Sequence, residues 1–245
     1  MAVVVLVHGA WHGAWCWERV VAGLSDRGTS AVALDLPGHG ADADPMGDLH
    51  DDAARVRDVL DGLDEPVVLV GHSYGGAVIT EAGEHPVVDR LVFIAAFALD
   101  VGESCMAAAV EASAEAGTSW EGRPNLGEAF VVGEDGRGTL EPEVAADCLY
   151  NDCDDQTVAW ALRHLGPHPL ANLEQTPAAA AWRSKSSTYV VCTEDLAVHP
   201  DLQRLMARRC QERIDWPTGH SPFLSRPGLV TGLLADLSGP DRRPR

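Results

Sequence analysis

The apolar run Val67-Val68-Leu69-Val70 passes directly into Gly71-His72-Ser73-Tyr74-Gly75-Gly76, and a helix-patterned stretch, Gly75–Glu84, follows without a spacer. A continuous run of valine and leucine suits a strand buried on both faces. Turning such a strand into a helix over so few residues forces a sharp, strained bend. Side chains at 71 and 75 would strike neighbouring backbone, which is why glycine stands at both. The bend pushes the Ser73 hydroxyl out at the top of a sheet, beside a helix N-terminus that favours negative charge. This junction commits the chain to a layered α/β architecture.

The rest of the sequence repeats the alternation. Apolar runs at Val3–Val7, Ala31–Asp35, Leu91–Ala95 and Thr188–Cys192, with a weaker one at Glu212–Asp215, read as further strands. Helical patterns lie between them at Trp15–Arg27, Gly47–Leu63, Pro200–Arg209 and Pro227–Leu237. Together they predict a mostly parallel central sheet with helices on both faces. The alternation breaks once, over residues 97–182, where Ala- and Glu-rich sequence holds helical stretches near Pro142–Tyr150 and Gln156–Leu165 and a turn-like Gly133–Gly138. An unstructured loop of that length is improbable in a compact domain. The expectation is therefore a core of residues 1–96 and 183–238, a helical cap of 97–182 over the carboxyl edge of the sheet, and a frayed tail of 239–245.

Composition narrows the function classes. Of 245 residues, 18 are Lys or Arg and 37 Asp or Glu, a formal net charge of −19. Such a chain repels phosphate backbones and anionic lipid, so neither nucleic acid nor a membrane is expected as partner. The opening run Ala2–Val7 is too short to span a bilayer and lacks a positive leader, so no secretory signal is expected. Six cysteines at 16, 105, 148, 153, 192 and 210 have no paired spacing. They read as reduced thiols of a cytoplasmic protein. A homodimer is left open.

A serine hydroxyl becomes a useful nucleophile when a base lies within hydrogen-bond reach. Of ten histidines, His220 is the candidate, because it follows Gly219 in a loop after the last strand pattern. His8 and His72, beside strand ends, read as structural, and His39 in Pro37-Gly38-His39-Gly40 as a loop residue at the rim. The carboxylate that orients the base should end a late strand upstream of it. Asp195, closing Val190-Val191-Cys192-Thr193-Glu194-Asp195, fits, with Glu194 and Asp100 as alternatives. Two backbone N–H groups would serve a developing oxyanion, those of Tyr74 and of Ala10 in the loop after the first strand. Trp11, beside Ala10, is a candidate substrate contact. Other clusters carry less. His164 and His168 stand four apart, but Gly166 and Pro167 break the helix that a zinc pair would need. Asp152, Asp154 and Asp155 beside Cys148 and Cys153 lack a calcium-loop pattern and read as a solvated helix start. No phosphate-binding glycine motif is present, so no cofactor and no metal are expected.

Val5-Leu6-Val7-His8-Gly9-Ala10-Trp11-His12-Gly13, Asp35-Leu36-Pro37-Gly38-His39-Gly40, the Ser73 turn and Cys192-Thr193-Glu194-Asp195 together resemble the α/β-hydrolase superfamily. Within it the resemblance is to the branch of plant methylesterases and hydroxynitrile lyases with their bacterial relatives. It covers nearly the whole chain, loosely in the cap. It implies an α/β-hydrolase fold, the chain order nucleophile, acid, histidine, a Ser73–His220–Asp195 triad, and Ala10 and Tyr74 as oxyanion donors. Two departures choose between activities. Where the lyases carry threonine this chain has Gly9, and where they carry lysine after the histidine it has Ser221. Both positions lie where substrate would be held, and both departures favour an esterase over cyanohydrin cleavage. A binding protein or non-hydrolytic pathway enzyme on the same fold is the competing class. In the cap, the basic residues Arg123, Arg163, His164 and His168 are read as forming no polyanion clamp. The expected substrate is a neutral or weakly acidic small-molecule ester of a small alcohol.

Overall fold

A computed structural model describes residues 1–115 and 126–239. The expected tail, apart from Gly239, and Arg123 lie outside the described residues. In chain order the elements are β1 (Val3–Val7), α1 (Glu18–Ser25), β2 (Ala31–Leu34), α2 (Leu49–Asp61), β3 (Val67–His72), α3 (Gly75–Ala82) and β4 (Val88–Ile94). An inserted stretch follows with α4 (Cys105–Glu115), β5 (Phe130–Val132), β6 (Arg137–Leu140), α5 (Pro142–Leu149), α6 (Asp155–Leu162) and β7 (His168–Pro169). The chain then returns through β8 (Ser186–Cys192), α7 (Pro200–Ala207), β9 (Glu212–Trp216), α8 (Pro222–Ser225) and α9 (Pro227–Ser238).

Six strands form the central sheet in the order β2-β1-β3-β4-β8-β9. Every pairing in it is parallel. Side chains alternate between its faces, as a two-residue repeat requires. Val3, Val5 and Val7 enter one core with residues of α2, α3 and α7. Val4 and Leu6 enter the other with residues of α1 and α9. Buried on both sides, β1 and the first four residues of β3 are apolar throughout and stand out as continuous runs, whereas β8 opens with Ser186-Ser187-Thr188 before its apolar end.

The chain leaves β1 toward β2 on one side and takes up β3 on the other, so the direction of winding reverses between β1 and β3. Open α/β sheets bind ligands in the crevice at such a reversal, outside the carboxyl ends of the strands. The loop after β1 and the bend after β3 both open into that crevice.

Element ends shift, β4 spanning Val88–Ile94 rather than the expected Leu91–Ala95, and two further details differ from the sequence reading. Strand β2 stops one residue short of Asp35, whose carboxylate instead accepts the Ala14 and Ala41 N–H groups at 2.6 and 3.1 Å. The inserted stretch carries helices, as expected, and also a three-stranded antiparallel sheet, β5-β6-β7. The glycine-rich turn at 133–138 joins β5 to β6, with the Gly133 N–H donating to the Arg137 carbonyl at 2.8 Å. These strands run from two to four residues, below the length at which periodicity identifies a strand.

Candidate active site

Ser73 follows the last residue of β3 and has φ of 51°, a left-handed backbone that a non-glycine residue adopts only when its surroundings enforce it. The surroundings are close. A Cβ on Gly75 would sit 2.5 Å from the His8 carbonyl oxygen, so helix α3 presses directly on the end of β1. The Ser73 N–H donates to the Ile94 carbonyl at 3.3 Å, and the Ser73 carbonyl accepts from Gly76 and Phe97 at 2.9 and 3.1 Å. The bend is thus tied to β4 and to its own helix.

The structure brings His220 and Asp195 together. His220 Nδ1 lies 2.7 Å from Asp195 Oδ2, with both residues buried. Asp195 accepts three more bonds, from the Ala197 and Val198 N–H groups at 2.7 and 2.9 Å and from Gln203 Nε2 at 2.7 Å. A carboxylate with its acceptor sites filled this way is fixed in orientation. With Nδ1–H donated to Asp195, His220 carries a bare lone pair on Nε2. The histidine is held from behind by His72, whose Nε2–H donates to the His220 carbonyl at 2.9 Å and whose ring centroid lies 4.5 Å from that of His220. His72, one residue before Ser73, therefore links the Ser73 bend to the His220 loop.

The alternatives for the acid fall elsewhere. Glu194 is exposed, with its N–H donating to the Thr218 carbonyl. Asp100 is paired with Arg183, and that guanidinium holds its carboxyl below the usual carboxylate range.

Around Gly9 the packing leaves no space for a side chain. A Cβ there would stand 2.9 Å from Ser73 Cβ and 3.0 Å from His72 Nδ1. The Gly9 carbonyl accepts from His8 Nδ1 at 2.8 Å and from the His12 N–H at 3.3 Å. Because N–H and C=O are opposed across a trans peptide, the Ala10 N–H points the other way. The Ala10 carbonyl in turn accepts from His12 Nδ1 at 2.9 Å, and Tyr150 Oη donates to His12 Nε2 at 2.9 Å. Tyr74 stands at the N-terminus of α3. Its phenol donates to Asp52 Oδ2 at 2.6 Å, with Asn172 Nδ2 3.5 Å from both. Burial pushes the Asp52 carboxyl up to about 7 and the Tyr74 phenol well above its ordinary value.

Trp11 has φ of 63° and is buried, and its indole N–H donates to the Gly138 carbonyl of β6 at 3.0 Å. The Gly166 N–H donates to the Trp11 carbonyl at 2.9 Å. Trp11 thus ties the first loop to the inserted stretch. Ser221 is fully buried, its Oγ without a partner among the described residues. His164 and His168 are apart in role. His164 packs between Trp15 and Trp160, while His168 bonds to His39. Among the described residues no three metal-binding side chains converge. Among the described residues no helix is long and apolar enough to cross a membrane.

Sequence reasoning missed Gln203 and Asp52. Gln203 Oε1 also accepts the Cys192 N–H at 2.8 Å, so one amide fixes both the end of β8 and Asp195. A fully buried Gln within an amphipathic helix was the available signal, visible only once α7 had a known inner face.

The chain matches the family described as "Alpha/beta hydrolase family" over residues 4–232. It is 32% identical to an alpha/beta hydrolase of Aspergillus novofumigatus, with 96% of each chain covered. It is 31% identical to methylesterase 7 of Arabidopsis thaliana, over 96% of this chain and 95% of that one. Among solved structures, that of polyneuridine aldehyde esterase superimposes with a TM-score of 0.82 at 23% identity, over 98% of this chain and 100% of the other.

Proposed function

Because the chain belongs to the alpha/beta hydrolase family, we propose that it hydrolyses a carboxylic ester of a small molecule through an acyl-enzyme intermediate. The observation that carries this reading is the buried 2.7 Å bond from His220 to Asp195, which leaves the His220 Nε2 lone pair available as a base. In the reaction Ser73 Oγ attacks the ester carbonyl while His220 Nε2 takes its proton. The Ala10 and Tyr74 N–H groups hold the oxyanion, and His220 then protonates the departing alcohol. Water, activated by the same histidine, releases the acid. No cofactor or metal takes part in this scheme.

Gly9, Trp11 and Ser221 border the substrate in this reading, Gly9 by letting the first loop pack directly against Ser73 and Trp11 as an apolar wall. Residues 97–182 act as a lid, which the two bonds between Trp11 and the inserted stretch support. Six unpaired cysteines support a cytoplasmic setting. The missing space at Gly9 argues against a threonine hydroxyl being carried there for cyanohydrin chemistry.

The purified protein is expected to release p-nitrophenol from short-chain esters, to cleave methyl aryl esters, and to be labelled at Ser73 by a fluorophosphonate. It should free no cyanide from mandelonitrile. Cyanide release faster than any ester cleavage would replace the esterase reading with a lyase, and silence in every assay would favour a binding protein. Sedimentation of the same preparation decides whether it works as a homodimer.

A further inference from the structure

His12 stands buried in the loop after β1 and reaches both peptide groups that flank Ala10. Its backbone N–H donates to the Gly9 carbonyl at 3.3 Å, and its Nδ1 lies 2.9 Å from the Ala10 carbonyl. The Gly9–Ala10 peptide plane sets the direction of the Ala10 N–H, because N–H and C=O are opposed across it. Turning that plane would break two bonds to the Gly9 carbonyl, one from the His12 N–H and one from His8 Nδ1 at 2.8 Å. Turning the next plane would break the bond from the His12 ring.

The ring itself is held from the inserted stretch. A carbonyl can only accept, so His12 carries its proton on Nδ1 and presents a lone pair at Nε2. The Tyr150 hydroxyl donates to that lone pair at 2.9 Å. Burial keeps the His12 ring neutral, its value lowered to about 4, and keeps the Tyr150 phenol protonated. Trp15 stacks on the same ring with centroids 5.3 Å apart, and Phe223 meets it edge-on. Tyr150 caps the end of α5 and is buried. The two residues after it meet the other loops of the site. Asn151 Nδ2 donates to the Glu194 carbonyl at 2.9 Å, beside Asp195. A Cβ on Gly219, beside His220, would stand 2.6 Å from Asp152 Oδ1. Three successive residues at the end of α5 thus meet the loops of Ala10, Asp195 and His220. A phenylalanine at 150 would fill the same core space, so the hydroxyl adds a bond to the one ring that clamps Ala10.

We infer that His12 and Tyr150 are positioning residues for ester hydrolysis, which together aim the Ala10 N–H at the place where the oxyanion forms. Both act through Ala10 rather than on the substrate. The inference rests on the ester-hydrolase reading, with Ala10 as an oxyanion donor, and it makes the end of α5 part of the catalytic frame. Donors preorganised in this way act on the transition state and leave ground-state binding alone.

Tyr150→Phe removes one hydroxyl and keeps the ring. On p-nitrophenyl acetate it should lower kcat about tenfold with KM within about twofold, the loss expected when a donor is loosened rather than deleted. Phenyl trifluoromethyl ketone, which Ser73 would convert to an oxyanion adduct, should lose affinity by the same factor. The corresponding alcohol, 1-phenyl-2,2,2-trifluoroethanol, forms no oxyanion and should bind as before. His12→Asn keeps a donor for the Ala10 carbonyl but is too short to meet Tyr150. In that background Tyr150→Phe should cost less than about twofold, because the hydroxyl acts only through the ring. If His12→Asn does not fold by circular dichroism, Tyr150→Phe alone decides. The inference is overturned if Tyr150→Phe keeps kcat within about twofold, if ketone and alcohol lose affinity alike, or if the two changes multiply in the double variant. In each of these cases the wild type still cleaves the ester, and the ester-hydrolase reading stands. A wild type that neither cleaves the ester nor captures the ketone would instead remove that reading, and the inference with it.

Discussion

Asp195 and Glu194 are neighbours in the chain with opposite environments. Asp195 is buried and bonded to His220, whereas Glu194 points to solvent. Replacing the first by Asn turns an acceptor toward His220 Nδ1 into a group that can also donate, and so favours the wrong imidazole tautomer. Asp195→Asn should lower kcat on the order of 10⁴-fold, while Glu194→Gln should stay within about threefold. A larger loss from the Glu194 change would move the acid. Ser73→Ala should cost on the order of 10⁴-fold or more, because the three groups act as a unit. Gly9 offers a subtler check. The Cβ of an alanine there would meet Ser73 Cβ at 2.9 Å, so Ser73 or the first loop has to shift. A misplacement of that kind is costly, and Gly9→Ala should reduce kcat by about tenfold or more. Unchanged kcat would show that the contact is soft.

Between elements, the contact of α2 with the start of α3 holds an unusual group. Asp52 is buried, its Oδ1 has no partner among the described residues, and burial raises its carboxyl to about 7. An acid raised in the folded state binds its proton more tightly there than in the unfolded chain, whose value lies near 3.9. Stability therefore falls as pH rises from about 4 to about 7 and changes no further from this source above that. An amide keeps an acceptor for the Tyr74 hydroxyl and does not ionise. Asp52→Asn should leave stability close to wild type at pH 4.5 and raise it by a few kcal/mol, about 5–10 °C in melting temperature, at pH 7.5. A difference that does not grow with pH would mean that the carboxyl ionises freely in place.

For the whole molecule the decisive groups are the buried histidines. Desolvation lowers His8 to about 3 and His12 to about 4, and depresses His39, His72 and His168 as well. Each is neutral in the folded protein and binds a proton on unfolding below about pH 6.5. Stability from this source is complete above that pH and is lost as pH falls toward 4. For His8 alone the loss amounts to on the order of 4 kcal/mol, against a total of about 5–15 kcal/mol for a domain. Several such groups acting together should unfold the chain before pH 4 is reached, opposed only in part by Asp52. An acid titration followed by circular dichroism is expected to have its midpoint between about pH 4 and 6. Native spectra persisting at pH 3 would mean that these rings take up protons without unfolding.

The sequence by itself determined the parallel sheet, because strands buried on both faces are apolar along most of their length and so stand out as Val3–Val7, Val67–Val70 and Thr188–Cys192. It also determined the bend at Ser73, where backbone crowding admits only glycine at 71 and 75, and where β3 runs on to His72 before turning. Tertiary structure alone decided the rest. Strands β5, β6 and β7 form through pairing with one another and through Trp11, and they are too short to carry a periodic signal. Gln203 reaches Asp195 because α7 turns that face inward, and His72 reaches His220 across 148 residues of sequence. His39 and His168, a loop residue and a discarded zinc candidate in the sequence, become a bonded pair only when the inserted stretch lies over the first loops. Local pattern records which faces are apolar, whereas hydrogen bonds between distant polar atoms depend on which faces the fold brings together.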